Sequence, residues 1–190
     1  MTVKINFKNH ISNKNSANIV LFTDERFSVK PLKKYISNFE FSYVYDLLKT
    51  SDLSKNLFVF EINAKKKIVL VSIKKNLNSF NIENLGAEFY ERINYGKNTE
   101  YYLFPESIGN RNQNFIDHFL HGIKLKSYKF EKYKTKKKTR IIYVNIIGNK
   151  NELLRKKLLK LNALEEGTFC ARDLVSEPGN ILHPDEYAKR

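Results

Sequence analysis

The run Ile68 to Ile73, IVLVSI, is apolar at consecutive positions rather than at alternate ones. Successive side chains of a strand point to opposite faces, so a strand of this kind needs cover on both sides. Ala17 to Thr23 (ANIVLFT) has the same character. Two such runs in one chain require a sheet with helices on both faces. Just before the first run, Asn56 to Ile62 is separated from Lys67 to Ile73 by Asn63-Ala64-Lys65-Lys66, a spacing that predicts a hairpin.

The remaining segments fit that frame. Val3, Ile5 and Phe7 alternate with polar residues, as in a half-buried first strand. Pro31 suits the opening of a helical turn, and Phe41 to Lys49 reads equally as helix or strand. Ile82, Leu85, Phe89 and Ile93 recur at helical spacing, with Gly96 as a stop. Glu100 to Phe104 and Thr139 to Ile147 are strands. Between them Arg111 to about Lys126 is an amphipathic helix with Phe115, Ile116, Phe119, Leu120 and Ile123 on one arc. Asn149 or Asn151 can cap a last helix that runs to about Ser176. The fold class is therefore α/β: a mixed β-sheet flanked by helices, followed by a long C-terminal helix. Residues 1–149 are expected to form the domain, 150–177 a linker helix, and 178–190 the start of something new, since Pro178 and Pro184 break the helix.

That last helix carries two apolar stripes. Leu153, Leu154, Leu158, Leu161, Leu164, Phe169 and Val175 form one, and Leu159, Ala163, Cys170 and Leu174 the other. One stripe is expected on the domain and the other on a partner domain beyond this chain.

Few residues suggest chemistry. Asp117 and His121 have i,i+4 spacing beside His118, but the helical projection puts all three on the solvent face, as an ordinary polar surface and not a metal site. His10 and His183 lie in polar segments. The lone cysteine, Cys170, allows no intrachain disulfide and is expected to be buried and inert. Ser72 sits where a strand leads towards a helix, without the glycine that a phosphate loop needs. No catalytic, cofactor or metal residues are assigned. No apolar run approaches the ~18 residues of a membrane span, and the N-terminus has no apolar signal region. A cytoplasmic protein without a membrane partner is the expectation.

The 190 residues carry a formal charge of +14. Nine Lys/Arg against the single Glu131 fall between Lys124 and Arg140, interleaved with Tyr128, Phe130 and Tyr133. Lysines among aromatics suit phosphates and stacked bases, so nucleic acid is an alternative partner, through Lys132, Lys134, Lys136, Lys137, Lys138 and Arg140. A solvated loop anchored by its aromatics is the plainer reading.

Two segments together resemble the leucyl aminopeptidases, also called cytosol aminopeptidases. FLHGIKLKSYKFEKYKTKKK, from Phe119, matches a signature of their N-terminal domain at Gly122, Leu125, Tyr128, Phe130, Tyr133 and Lys134. EEGTFCARDLVSEPGNILHPDEYA is similar to their interdomain linker at Gly167, Ala171, Arg172, Asp173, Leu174, Val175, Pro178, Asn180, Leu182 and Pro184. The resemblance implies a macro-domain-like N-terminal domain, joined by a helix to a catalytic domain. It further implies a homohexamer that removes N-terminal residues from peptides with two divalent metal ions, zinc or manganese. The metal ligands and catalytic lysine of that family belong to the catalytic domain, so this chain alone is expected to be inactive and structural. Where many relatives carry a glycine-containing turn this sequence has Ser72-Ile73-Lys74, and no ligand-binding role is carried over.

Overall fold

Ile19 to Phe22 and Ile68 to Val71 lie side by side in the middle of the sheet, each at most 1% exposed. The computed structural model describes residues 2–11, 16–95, 99–109, 115–135, 140–148 and 152–189. Its six strands are β1 (Val3–Lys8), β2 (Asn18–Thr23), β3 (Leu57–Asn63), β4 (Lys66–Ser72), β5 (Glu100–Phe104) and β6 (Ile142–Ile147). They run in the order β1-β6-β5-β2-β4-β3. All neighbours are parallel except the β3/β4 hairpin. At its turn the Asn63 side chain accepts from the Lys65 and Lys66 amides at 2.8 and 3.0 Å, which substitutes for a backbone turn bond.

The two faces have separate cores. On one, Val20, Phe22, Val69, Val71, Leu103 and Val144 pack under α2 (Ser79–Ile93) and α3 (Ile116–Ser127). On the other, Ile19, Leu21, Ile68 and Leu70 pack under α1 (Asn38–Lys49) and a 3-10 helix, Lys30–Lys34. Sequence periodicity left residues 41–49 open between helix and strand. Helix wins because Ser37 and Glu40 form a reciprocal capping box at its start. α2 ends at Ile93 with Asn94 as its cap; Gly96, the expected stop, lies outside the described residues, as do Arg111, Asn149 and Asn151. α3 begins at Ile116, and its expected arc of Phe115, Ile116, Phe119, Leu120 and Ile123 is buried throughout.

α2 and α3 touch backbone to backbone. A Cβ on Gly122 would sit 1.9 Å from the Glu83 carbonyl oxygen, and one on Gly86 would sit 2.1 Å from that of Phe119. No side chain fits in either place. Beyond α3 run a non-helical strap, residues 128–135, then β6 and α4 (Glu152–Ser176), and after a turn α5 (Pro184–Lys189).

Glu40 also ties α1 to the hairpin, since its carboxylate meets the Lys66 ammonium at 2.6 Å in a buried pair. Burial pushes the Glu40 carboxyl up, but hydrogen bonds from Lys66 and Ser37 outweigh it and hold the group below its ordinary 4.5. A depressed folded value stabilises the fold above pH 4.5, and that contribution is lost as pH falls through the folded value. Glu40→Ala should cost about 3 kcal/mol in urea unfolding at neutral pH. It should also flatten the acid limb of the stability profile; an unchanged acid limb would show that the pair does not set it.

Candidate interface between the strap and the long helix

α3 lies between α2 and α4, and this placement gives its polar residues partners. Sequence projection put Asp117, His118 and His121 in solvent. In the structure Asp117 and His121 are only 3% and 7% exposed. Glu83 Oε1, from α2, lies 2.9 Å from His118 Nδ1 and 3.1 Å from His121 Nδ1. Asp117 faces Lys157 of α4 at 3.5 Å. The projection shows one helix and cannot include a second helix on its polar side. Burial pushes the Glu83 carboxyl up, and hydrogen bonds to the two imidazoles outweigh this and hold it low. His121 Nε2 is buried without a hydrogen-bond partner among the described residues.

Among the described residues no group of three or more His, Cys, Asp or Glu is arranged to hold a metal ion. Asp117 and His121, the i,i+4 pair, are turned to Lys157 and Glu83 instead. These residues do not fit a divalent metal centre, and no chemical step is assigned through one.

α4 seats on α3 through Leu154, Leu158 and Leu161, and through Lys124, which donates to Asn162 and Glu165 at 2.8 Å each. Leu164 and Val175 were expected on the same face, but they are 52% and 88% exposed. The helix is longer than the domain beneath it, so its far end meets the strap and not the core. The Leu153 side chain lies outside the described residues.

At that far end the two motif segments meet. Tyr128 packs its ring on Phe169, with centroids 5.3 Å apart. The Tyr128 hydroxyl donates to Asp173 at 2.7 Å. Arg172 lies over the Tyr128 ring and donates to the Leu125 carbonyl at 2.7 Å. Lys132 and Tyr133 both donate to the Glu177 carboxylate, and Phe130 braces Tyr133 edge-on. The Pro178 carbonyl then accepts from the Ile181 and Leu182 amides. That turn carries Asn180 in water and leads to Pro184, the first residue of α5. Gly122 acts earlier, at the α2 crossing. Sequence matching found these residues as two separate motifs; Glu177, which joins them, was not singled out.

The basic residues go to different places. Lys134 pairs with Glu131 at 3.7 Å, and Arg140 donates to the Asn94 carbonyl at 2.7 Å. Lys136, Lys137 and Lys138 lie outside the described residues. Ser72 donates to the Asp24 carbonyl at 3.2 Å and stitches the ends of β4 and β2 together. Most of the second stripe of α4 is in water: Leu159 is 59% exposed, and Ala163 and Cys170 are exposed as well, while Leu174 is half-buried. Cys170 is therefore not the buried thiol expected from its apolar neighbours, because none of the described residues covers it.

Known proteins share this architecture. A probable cytosol aminopeptidase of Nitrobacter winogradskyi is 40% identical over 74 residues, covering 36% of this chain and 15% of that protein. One from Rhodopseudomonas palustris is 29% identical over 130 residues, covering 65% and 26%. No family model matches. Among solved structures, a mutant of tomato leucine aminopeptidase superposes on 98% of this chain and 41% of its own, with a TM-score of 0.69 at 14% identity. The cytosol aminopeptidase from Coxiella burnetii gives 97%, 36% and a TM-score of 0.61 at 11% identity. A bottromycin maturation enzyme, solved in complex with Mn, gives 92%, 35% and 0.62 at 15% identity. The chain is similar to an N-terminal region of cytosol and leucine aminopeptidases, and it spans well under half of each.

Glu177 raises both its partners. Its hydrogen bond lifts Lys132 above the usual lysine range and Tyr133 above the usual tyrosine range. Raised folded values stabilise the strap fully below the unfolded values of 10.5 and 10.0, and the contribution is lost as pH climbs through the raised folded values. Arg172→Ala removes one hydrogen bond and one ring contact, together about 1–2 kcal/mol. Hydrogen exchange should then lose protection in residues 165–177 while 154–161 and the sheet keep theirs. Uniform loss along α4 would mean that the strap does not hold its far end.

Proposed function

We propose that this chain is the non-catalytic N-terminal region of a leucyl-type metalloaminopeptidase, with residues 1–149 as the domain and 150–177 as the linker helix. The observation that carries this reading is the seating of the strap on the far end of α4. Tyr128, Lys132 and Tyr133 fix Phe169, Arg172, Asp173 and Glu177 in place. The chain therefore leaves the domain at Pro178 in one set direction. Residues 178–190 are read as the lead into a catalytic domain, and the stripe of exposed Leu159, Ala163 and Cys170, with half-buried Leu174, as the side on which that domain packs. The role of the region is structural: it holds subunits together in a homo-oligomer and shapes access to the active site. The two divalent metals and the cleavage of N-terminal residues from peptides are part of this proposal for the whole protein, not for the residues described above.

Hydrolysis of a leucine amide substrate tests it. The 190-residue chain with manganese or zinc should show no turnover above a buffer blank, and measurable turnover would overturn the reading. Cys170, the single cysteine, reports on the stripe. In the isolated chain a maleimide should label it at the rate of a free thiol, and strong protection would mean that the stripe is already covered.

A further inference from the structure

α1 buries a narrow seam, leaves one row of large side chains in water, and carries beside it a second row in which Phe41 is half-buried on the core and Tyr45 is exposed. Glu40, Val44 and Leu48 face inward. One outer row, at i, i+4 and i+8, holds Phe39, Tyr43 and Leu47, with Phe39 74% exposed. The Tyr43 hydroxyl points towards the Glu61 carbonyl of β3 at 3.5 Å, which anchors the middle of this row. The neighbouring row begins with Phe41 and Tyr45, whose rings stack within 9° of parallel. Lys33, from the 3-10 helix, caps Phe41 at 4.7 Å, and Lys49 caps Tyr45 at 4.3 Å. An uncapped apolar row thus runs beside a row reading cation, ring, ring, cation. Lys30 and Lys34 add exposed charge next to it. Of the two carboxylates on α1, Asp46 pairs with Lys49 at 3.4 Å and Glu40 is buried against Lys66.

Exposed apolar side chains gathered in one place mark a contact surface. The lysine rim decides which kind. A second copy is disfavoured on this face, because it would bring the same rim of lysines against it. Stacked bases are disfavoured too, because the Phe41 and Tyr45 faces are taken by each other and by ammonium groups. An anionic lipid surface meets both rows: the apolar row enters the boundary below the headgroups, and the lysines meet phosphates. We propose that α1 and the 3-10 helix before it form a peripheral docking face for an anionic phospholipid surface. The expectation of no membrane partner rested on the lack of a spanning run. No described helix is long and apolar enough to cross a membrane, and a helix lying on the surface need not be.

The test is co-sedimentation of the 190-residue chain with vesicles of phosphatidylcholine alone and of phosphatidylcholine with phosphatidylglycerol. Binding is expected only with phosphatidylglycerol, weakening as salt rises. Lys33→Gln with Lys49→Gln, and separately Phe39→Ser with Leu47→Ser, should each lower partitioning about tenfold. Lys74→Gln with Lys75→Gln removes equal charge from another exposed segment and should change it by less than about twofold. The chain has no tryptophan, so Phe39→Trp supplies a lone indole whose emission should shift blue on phosphatidylglycerol vesicles. Equal loss from both lysine pairs would mean general charge attraction and overturn the proposal. So would equal binding to phosphatidylcholine, an unshifted indole, or a preference for single-stranded oligonucleotide that Phe39→Ser abolishes.

Discussion

The contact on which most of this structure rests is made where two helix backbones meet, at Gly86 and Gly122. With a carbonyl oxygen about two ångströms from where each Cβ would stand, α2 and α3 share one separation and one register. That closeness brings Glu83 within reach of His118 and His121, and Lys126 within 2.7 Å of Glu91. It also fixes the top of α3 on which α4 lies. The strap leaves the end of α3, so its aromatics reach the far end of α4 only because α3 is held at this height. An ordinary side chain at either glycine would act at a distance, through everything stacked above it.

Net charge is a poor guide to where this molecule is basic. Of the lysines between Lys124 and Lys134, four meet carboxylates: Lys124 on Glu165, Lys126 on Glu91, Lys132 on Glu177 and Lys134 on Glu131. The most basic stretch of sequence is, in its described part, also a stretch of internal pairing that joins α3, the strap and α4. By contrast the lysines around α1 are few, yet Lys33, Lys34 and Lys49 are exposed and stand over aromatic rings.

The sheet was legible from sequence because its signal is local. Strands apolar on both faces can only be central, and β2 and β4 are central. The α3 arc was legible for the same reason. What could not be read was the effect of one helix on another. Asp117 and His121 look like surface residues until α4 and Glu83 arrive, and Leu164 and Val175 look like core until α4 outruns its support. The strap was read as a loop anchored by aromatics, which is close to what it does, but nothing local to Glu177 marks it as the residue that receives Lys132 and Tyr133. Its signal was tertiary. The capping box at Ser37 and Glu40, on the other hand, was present in the sequence and would have decided α1.

The pairing of β1 with β6 has a consequence for synthesis. Val3 stands opposite Ile142, so β1 is made long before the strand it pairs with. While the ribosome works through α1, the hairpin and α2, the residues of β1 have no neighbour in the sheet. Their hydrophobic side, Val3, Ile5 and Phe7, stays open until β6 emerges. Such long-range parallel pairing is slow to form and open to wrong partners meanwhile. Lys4 and Lys8, on the opposite side of this strand, keep the waiting segment charged, a simple guard against pairing with strangers.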